Sequence, residues 1–443
     1  MRQRLTVPPN VSAAYRKDFL EIVESSAKNS YQIVRQQAIL DTIIAPYLQG
    51  IFNKVLHANK EMEGKATLVL TKSPIENAYA LADGTIFFNI GLLAELENES
   101  QIAFILCHEL AHVKLKHMEQ GIVEYLETVH SKAFKKQYSQ LAREKYNRSA
   151  KIATFFEEKS LSHLYHKRSL EKQADSVGFL LFTKTNYDPG QAATALKILA
   201  RVDDPAAVPN LNLNLNLNTF FGCPNFTLDT YIKSGKETSI FGAVSDESPF
   251  ASNKDTLQTH PDIDKRLRFI AELERSMPAT GAAIEAEGDN KVKAICQREA
   301  LQSWFDAQNY DYAAYKALLQ LQQHPESNYL RGIVMLSLYA MQQHLKAHTF
   351  SEILSVESPS QPESFNQLIR LFGSLETSAY KNLSQCFHEA APLRSATDEY
   401  TLAARYALAR LQDDVSAAAE AKNAYTSRFK LGRLQAAIFS ELP

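Results

Sequence analysis

The chain is short of cysteine, of net charge and of long apolar runs. Four cysteines in 443 residues are too few for a disulfide scaffold, and no two of them stand in a C-x-x-C pair. They leave the redox compartment open. The balance of 48 Lys+Arg against 50 Asp+Glu leaves a net charge of −2, so no basic excess points to nucleic acid or an anionic membrane as the main partner. No stretch reaches the ~18 consecutive apolar residues that a membrane-spanning helix needs. The densest run, Ile102–Val113, is interrupted by His108, Glu109 and His112. Residues 1–12 carry basic side chains but no apolar centre of a signal peptide. The chain therefore reads either as cytoplasmic or as a mature form with an added Met.

What is present is ordinary globular composition, 45% hydrophobic and 22% charged. The length suits two or three domains at about 150 residues each. Residues 13–62 have helical periodicity, and 66–71 read as a strand. Asp83-Gly84 between two β-prone runs predicts a hairpin with a type I′ turn. Asn98 followed by Gln101 predicts the cap of a helix that enters HELAHVKLKHM, and helical patterns continue to about residue 200. Residues 203–258 are rich in proline and contain LNLNLNLN at 211–218, which reads as a long loop or, less favoured, a strand. A helix follows Pro261 to about Arg275, and 276–290 has linker composition. Beyond it Pro325 and Pro359, Phe305 and Tyr339, Gln308 and Gln342, and Leu319 and Ile353 share one 34-residue offset, the period of tetratricopeptide (TPR) helix pairs. The rival is an unrelated helical bundle. The expected architecture is mainly α with a small β-hairpin or sheet over 1–275, a linker at 276–290, and an all-α, TPR-like repeat domain over 291–443.

His108-Glu109-Leu110-Ala111-His112 is H-E-x-x-H on a helix. Positions i and i+4 lie one turn apart on one face, so both imidazoles can reach one ion. Glu109 sits beside that face, where its carboxylate can take a proton from a water that the ion activates. The apolar flanks mark a buried helix, and buried His and Glu need partners. A third ligand is sought on a second helix. Glu171 and Asp175 again share a face, with Glu171 able to ligate and Asp175 able to hold a ligand ring. On spacing alone a solvated charged face is the favoured reading of this pair. Ala174 and Gly178 would let that helix approach closely.

HELAHV with R-x-x-E-x-x-A-D at 168–175, the upstream NAYALADGTIFFNIGLL and the downstream Thr259-His260-Pro261-x-x-x-x-Arg266 together resemble the gluzincin metallopeptidases of the HtpX, Oma and CAAX prenyl protease type. The four motifs cover roughly residues 66–270, with Tyr79 where that family has Phe. The resemblance implies an α+β gluzincin domain, one Zn²⁺ held by His108, His112 and Glu171, and Glu109 as general base. It places Asp175 behind the ligands and His260 near the metal, either stabilising the oxyanion or acting as a fourth ligand that makes the enzyme latent. Arg266 then pairs with a carboxylate of the site or positions substrate backbone. A peptidase domain followed by helical repeats resembles the soluble, BepA-like periplasmic branch, which implies a periplasmic location and envelope quality control, with an outer-membrane assembly partner engaged through the repeats. The cytoplasm remains the alternative compartment.

The remaining histidines read blandly. His117, five residues past His112, faces away from the ligand face on a continuous helix and is expected at the surface, as are His163 and His166. Cys107 reads as a buried structural thiol. The strand Asn77, Ala78, Tyr79, Ala80 can bind an extended substrate by main-chain pairing, or can merely stabilise the fold. The function expected is that of a zinc endopeptidase acting on polypeptides; the alternative is a chaperone-like or adaptor protein whose zinc site is latent or structural.

Overall fold

The computed structural model of the chain describes residues 7, 11–143, 168–203, 216–223, 228, 263–276, 290–358, 361–390, 393 and 397–439. Among them the chain is mainly helical with one three-stranded sheet, the fold class expected. It divides into two compact units, residues 1–204 with 245–300 and residues 205–244 with 301–443. Within the linker segment, 277–289 lie outside the described residues. No described helix is long and apolar enough to cross a membrane.

The first unit opens with helices α1 (Arg16–Gln37) and α2 (Ile44–Ala58) rather than one helix over 13–62. The break has two causes. Ala38 bridges to Thr71, with Ile39 N–H donating to Leu70 O at 2.9 Å. Asp41 Oδ1 then accepts from the N–H groups of Ile43 and Ile44, both at 2.6 Å, and caps α2. Strands β1 (Thr67–Thr71), β2 (Ala78–Ala80) and β3 (Thr85–Asn89) form a sheet in the order β1-β3-β2, with β1 parallel and β2 antiparallel to β3. All five residues of β3 are buried.

The β2–β3 hairpin exists, but its turn is not type I′. Leu81 N–H donates to Thr85 O, leaving the three-residue loop Ala82-Asp83-Gly84, in which only Gly84 has positive φ, at 81°. Asp83 keeps a negative φ because its Oδ1 accepts from Thr85 N–H at 2.9 Å and closes the loop by itself. A Cβ at Gly84 would lie 2.1 Å from Lys65 O. With Leu81–Thr85 and Asn77–Asn89 as hydrogen-bonded pairs, antiparallel alternation turns the backbone groups of Ala78 and Ala80 away from β3. They lie on the edge of the sheet that faces away from β3.

Helix α3 (Ile90–Glu95) leads into α4 (Glu99–Leu115), which Asn98 caps by accepting from Gln101 N–H at 3.0 Å. Every residue of α4 from Ser100 to His112 is buried, so it runs through the core instead of lying on it. Helices α5 (His117–His130), α6 (Lys132–Leu141), α7 (Arg168–Phe182) and α8 (Gln191–Asp203) follow. The helix Ile263–Ser276 packs on α7 and α8. Phe104, Leu106, Leu110, Phe179, Phe182, Leu196 and Ile270 fill the core between them, and Val292, Cys296 and Ala300 of the helix Asn290–Asp306 belong to it.

The regular elements among the described residues of the second unit are all helices. Its long central helix, Asn328–Lys346, packs against Tyr310–Leu321 and Glu399–Leu411, and the last of these packs on Val415–Arg428. Ser327, Asp398 and Asp414 cap three of these helices. The final residues of the Leu/Asn tract are neither loop nor strand: Asn216 caps a short helix, Leu217–Phe221, whose Leu217 and Phe221 enter the core with Leu338, Phe372 and Leu383. The remainder of the tract lies outside the described residues. Just past that helix Cys223 is disulfide-bonded to Cys386, 163 residues on, a pairing the sequence did not suggest.

Candidate metal centre

Burial of α4 on all sides puts its polar residues where only a specific arrangement can satisfy them. His108 and His112 are one turn apart, and their Nε2 atoms face each other at 3.1 Å. Glu171, in the first turn of α7, brings Oε2 to 3.5 Å from His108 Nε2 and Oε1 to 3.5 Å from His112 Nε2. These three ligand atoms lie within 4.8 Å of one another, and all three residues are buried. Two imidazole nitrogens and a carboxylate converging in a buried pocket could hold a metal ion, and a donor set of this kind suits zinc. Among the described residues no other group of His, Cys, Asp and Glu converges in this way.

Glycine lets the two helices meet. A Cβ at Gly178 would lie 2.9 Å from His108 Cα, so α7 crosses α4 at backbone contact just where the first ligand sits. Ala174, one turn earlier, is fully buried.

Behind the candidate ligands is a chain of charges. His108 Nδ1 lies 3.1 Å from Asp175 Oδ1. Asp175 in turn accepts from Arg266 Nε at 2.7 Å and Nη2 at 2.8 Å, a two-toothed pairing. Arg266 Nη1 reaches Glu171 Oε2 at 3.1 Å. Only 5% exposed, Arg266 belongs to this network and is not placed to hold substrate backbone. Burial alone would raise the Asp175 carboxyl, but Arg266 and His108 outweigh it and hold it down to about 2. Burial likewise opposes the charged form of His108, yet Asp175 and Glu171 carry its imidazolium up to about 10.

Glu109 is on the next face. Burial pushes its carboxyl up to about 8, with Glu171 adding to the rise and the His108 and Arg266 charges opposing it. Its carboxylate accepts from the backbone N–H of Ala80, so the outer edge of β2 borders the base. Of the other strand residues considered, Ala78 is buried and Tyr79 stacks on Phe87 with ring centroids 5.3 Å apart. Asn77 O accepts from Asn89 N–H at 3.1 Å. His260, His163 and His166 lie outside the described residues.

One expectation is overturned. His117 is not at the surface: it has no exposure, and its Nδ1 is 3.1 Å from His112 Nδ1. The reading assumed a continuous helix. Instead α4 stops at Leu115, and Lys116 takes the left-handed conformation (φ 57°) and swings His117 back toward His112. No feature of Lys116 as a residue type announces that turn. Cys107, by contrast, is buried and unbonded as expected.

The sequence pattern of peptidase family M48 matches residues 44–274, just over half of the chain and all of this site. The chain is 27% identical over 155 residues to the mitochondrial metalloendopeptidase OMA1 of Arabidopsis thaliana, covering 35% of this chain and 30% of that protein. To the protein of the same name from Schizosaccharomyces pombe it is 26% identical over 148 residues, or 33% and 42%. To the beta-barrel assembly-enhancing protease of Yersinia pestis it is 23% identical over 109 residues, or 24% and 22%. The matched segments thus span less than half the length of each of these relatives.

Proposed function

The chain belongs to peptidase family M48, and from that premise we propose that it is a zinc-dependent metalloendopeptidase with Glu109 as its general base. The observation that carries this reading is the buried convergence of His108, His112 and Glu171 beside Glu109. Those three residues would hold one zinc. When bound there, the ion polarises the scissile carbonyl and acidifies the attacking water. The protein's own residues do the rest. Asp175 orients His108, and Arg266 keeps Asp175 and Glu171 from repelling one another. An extended substrate pairs with the outward backbone groups of Ala78, one residue pair from the Ala80 N–H that holds Glu109, which lays its scissile bond beside that base. Glu109 takes the proton of the attacking water and passes it to the leaving amine. Raised toward neutrality by burial, it is suited to both transfers.

Residues 301–443, the larger part of the second unit, serve as a TPR-like helical module that docks a partner and brings substrate to the zinc; the start expected at 291 moves because Val292, Cys296 and Ala300 belong to the first core. The Yersinia pestis relative is named for enhancing beta-barrel assembly, which supports a role for this chain in envelope quality control, and the Cys223–Cys386 disulfide supports an oxidising compartment such as the periplasm.

The test is Glu109→Gln. The variant should keep about one zinc per chain, and its kcat/KM on an unfolded protein substrate should fall by about 10²–10⁴-fold. A variant as active as the parent would remove Glu109 as base. A parent that binds zinc but cuts nothing would favour the latent, chaperone-like alternative.

A further inference from the structure

The two candidate histidine ligands are backed differently. Behind His108 stands Asp175, a carboxylate fixed by Arg266. Behind His112 stands a second imidazole, with ring centroids 4.9 Å apart and planes at 83°. We propose that His117 is a positioning residue for His112: its Nδ1 accepts from His112 Nδ1–H and so fixes the tautomer whose Nε2 lone pair faces the site. This rests on the metal reading above.

The argument is one of proton count. Two ring nitrogens 3.1 Å apart make a good contact only if one carries a hydrogen and the other a lone pair. His112 must leave Nε2 bare to ligate, so its single proton sits on Nδ1. The acceptor is then His117 Nδ1, and the proton of His117 is on Nε2. Gln173 and Glu171, both on α7, are further polar neighbours of His117, whose Nε2 is buried with no partner within hydrogen-bonding geometry among the described residues. His117 thus ties the start of α5 to both metal-bearing helices. The two ligands also become unequal. A carboxylate behind a ligating imidazole makes it a stronger donor. His108 therefore holds the ion more firmly, and His112, backed by a neutral ring, holds it less firmly.

The experiment uses the full chain and zinc alone, with affinity measured by competition against a chromophoric chelator. His117→Phe keeps the bulk of the ring and removes the acceptor. His117→Asn places an oxygen near the position of Nδ1. The Phe variant should bind zinc about 10–100-fold more weakly, the usual loss when the partner of a ligand is removed. The Asn variant should stay within about threefold of the parent, rescue that packing alone would not give. Ring ¹⁵N spectra of the metal-free parent should show His112 protonated at Nδ1. Parental affinity in the Phe variant overturns the proposal. So does an equal loss in the Asn variant when its circular dichroism matches the parent. If the Phe variant fails to fold, the Asn variant and the tautomer of His112 decide. A parent that binds no zinc defeats the metal reading itself, a different outcome.

Discussion

Two arginines are buried to nearly the same degree, Arg266 at 5% exposure in the first unit and Arg331 at 8% in the second. Arg266 is wedged between Asp175 and Glu171, and its positive form is favoured in spite of burial. Arg331 donates to the backbone oxygen of Pro325 at 3.0 Å and lies over the Phe387 ring, and burial lowers its pKa. The contrast holds across the two units. The first concentrates buried charge around one point, with His108, Glu109, His112, Glu171, Asp175 and Arg266 all inside. In the second, Asp311 is fixed by Ser355 N–H and Gln342 by Thr377 O. Their task is to pin backbone to helices: a loop at Ser355 and the start of another helix at Thr377. Buried charge that answers other charge assembles chemistry; buried polarity that answers backbone assembles a scaffold.

The two arginines give the sharpest way to break this contrast. Arg266→Met leaves two carboxylates facing each other in the core and should cost about 3–5 kcal/mol, measured by urea unfolding of chelator-treated protein. Arg331→Met strands no charge and should cost less than about 1.5 kcal/mol. Equal costs would mean that the units do not differ in this respect. Next in size is the crosslink of the second unit. Cys223→Ser with Cys386→Ser should lower its stability by about 2–4 kcal/mol and leave zinc content unchanged. A loss of zinc would show that the scaffold supports the metal centre. Smallest is a matched pair of Gly→Ala changes. At Gly178 the new Cβ meets His108 Cα at 2.9 Å, for an expected cost of about 1–3 kcal/mol with weaker zinc binding. At Gly332 it meets Tyr400 O at 3.3 Å, and the better helix propensity of Ala, about 1 kcal/mol, should offset the tighter contact. Thermal melts of both variants settle the comparison.

The parts of this molecule that were legible in the sequence are those governed by local period. The H-E-x-x-H spacing and the i, i+4 pair Glu171 and Asp175 put side chains on one face each, and the structure brings both faces to one point. The strands and the capped start of α4 were equally readable. What was not readable depended on a single backbone angle or on distant packing. Lys116 at positive φ breaks the period and turns His117 inward. Asp83 closes its own turn and changes the hairpin type. Cys223 meets Cys386 only because a short helix ending a polar tract packs on a helix far along the chain. Spacing carries no information about contacts of that range.

That last bond has a consequence for how the protein would survive its own chemistry. Cys223 and Cys386 close a covalent ring of chain that includes the segment from Pro224 onward, the family's Thr259-His260-Pro261 element and the first helices of the second unit. A single cut anywhere inside the ring, by this peptidase or another, opens the loop without releasing a fragment. The two ends stay attached through sulfur, and the nicked form separates on a gel only after reduction.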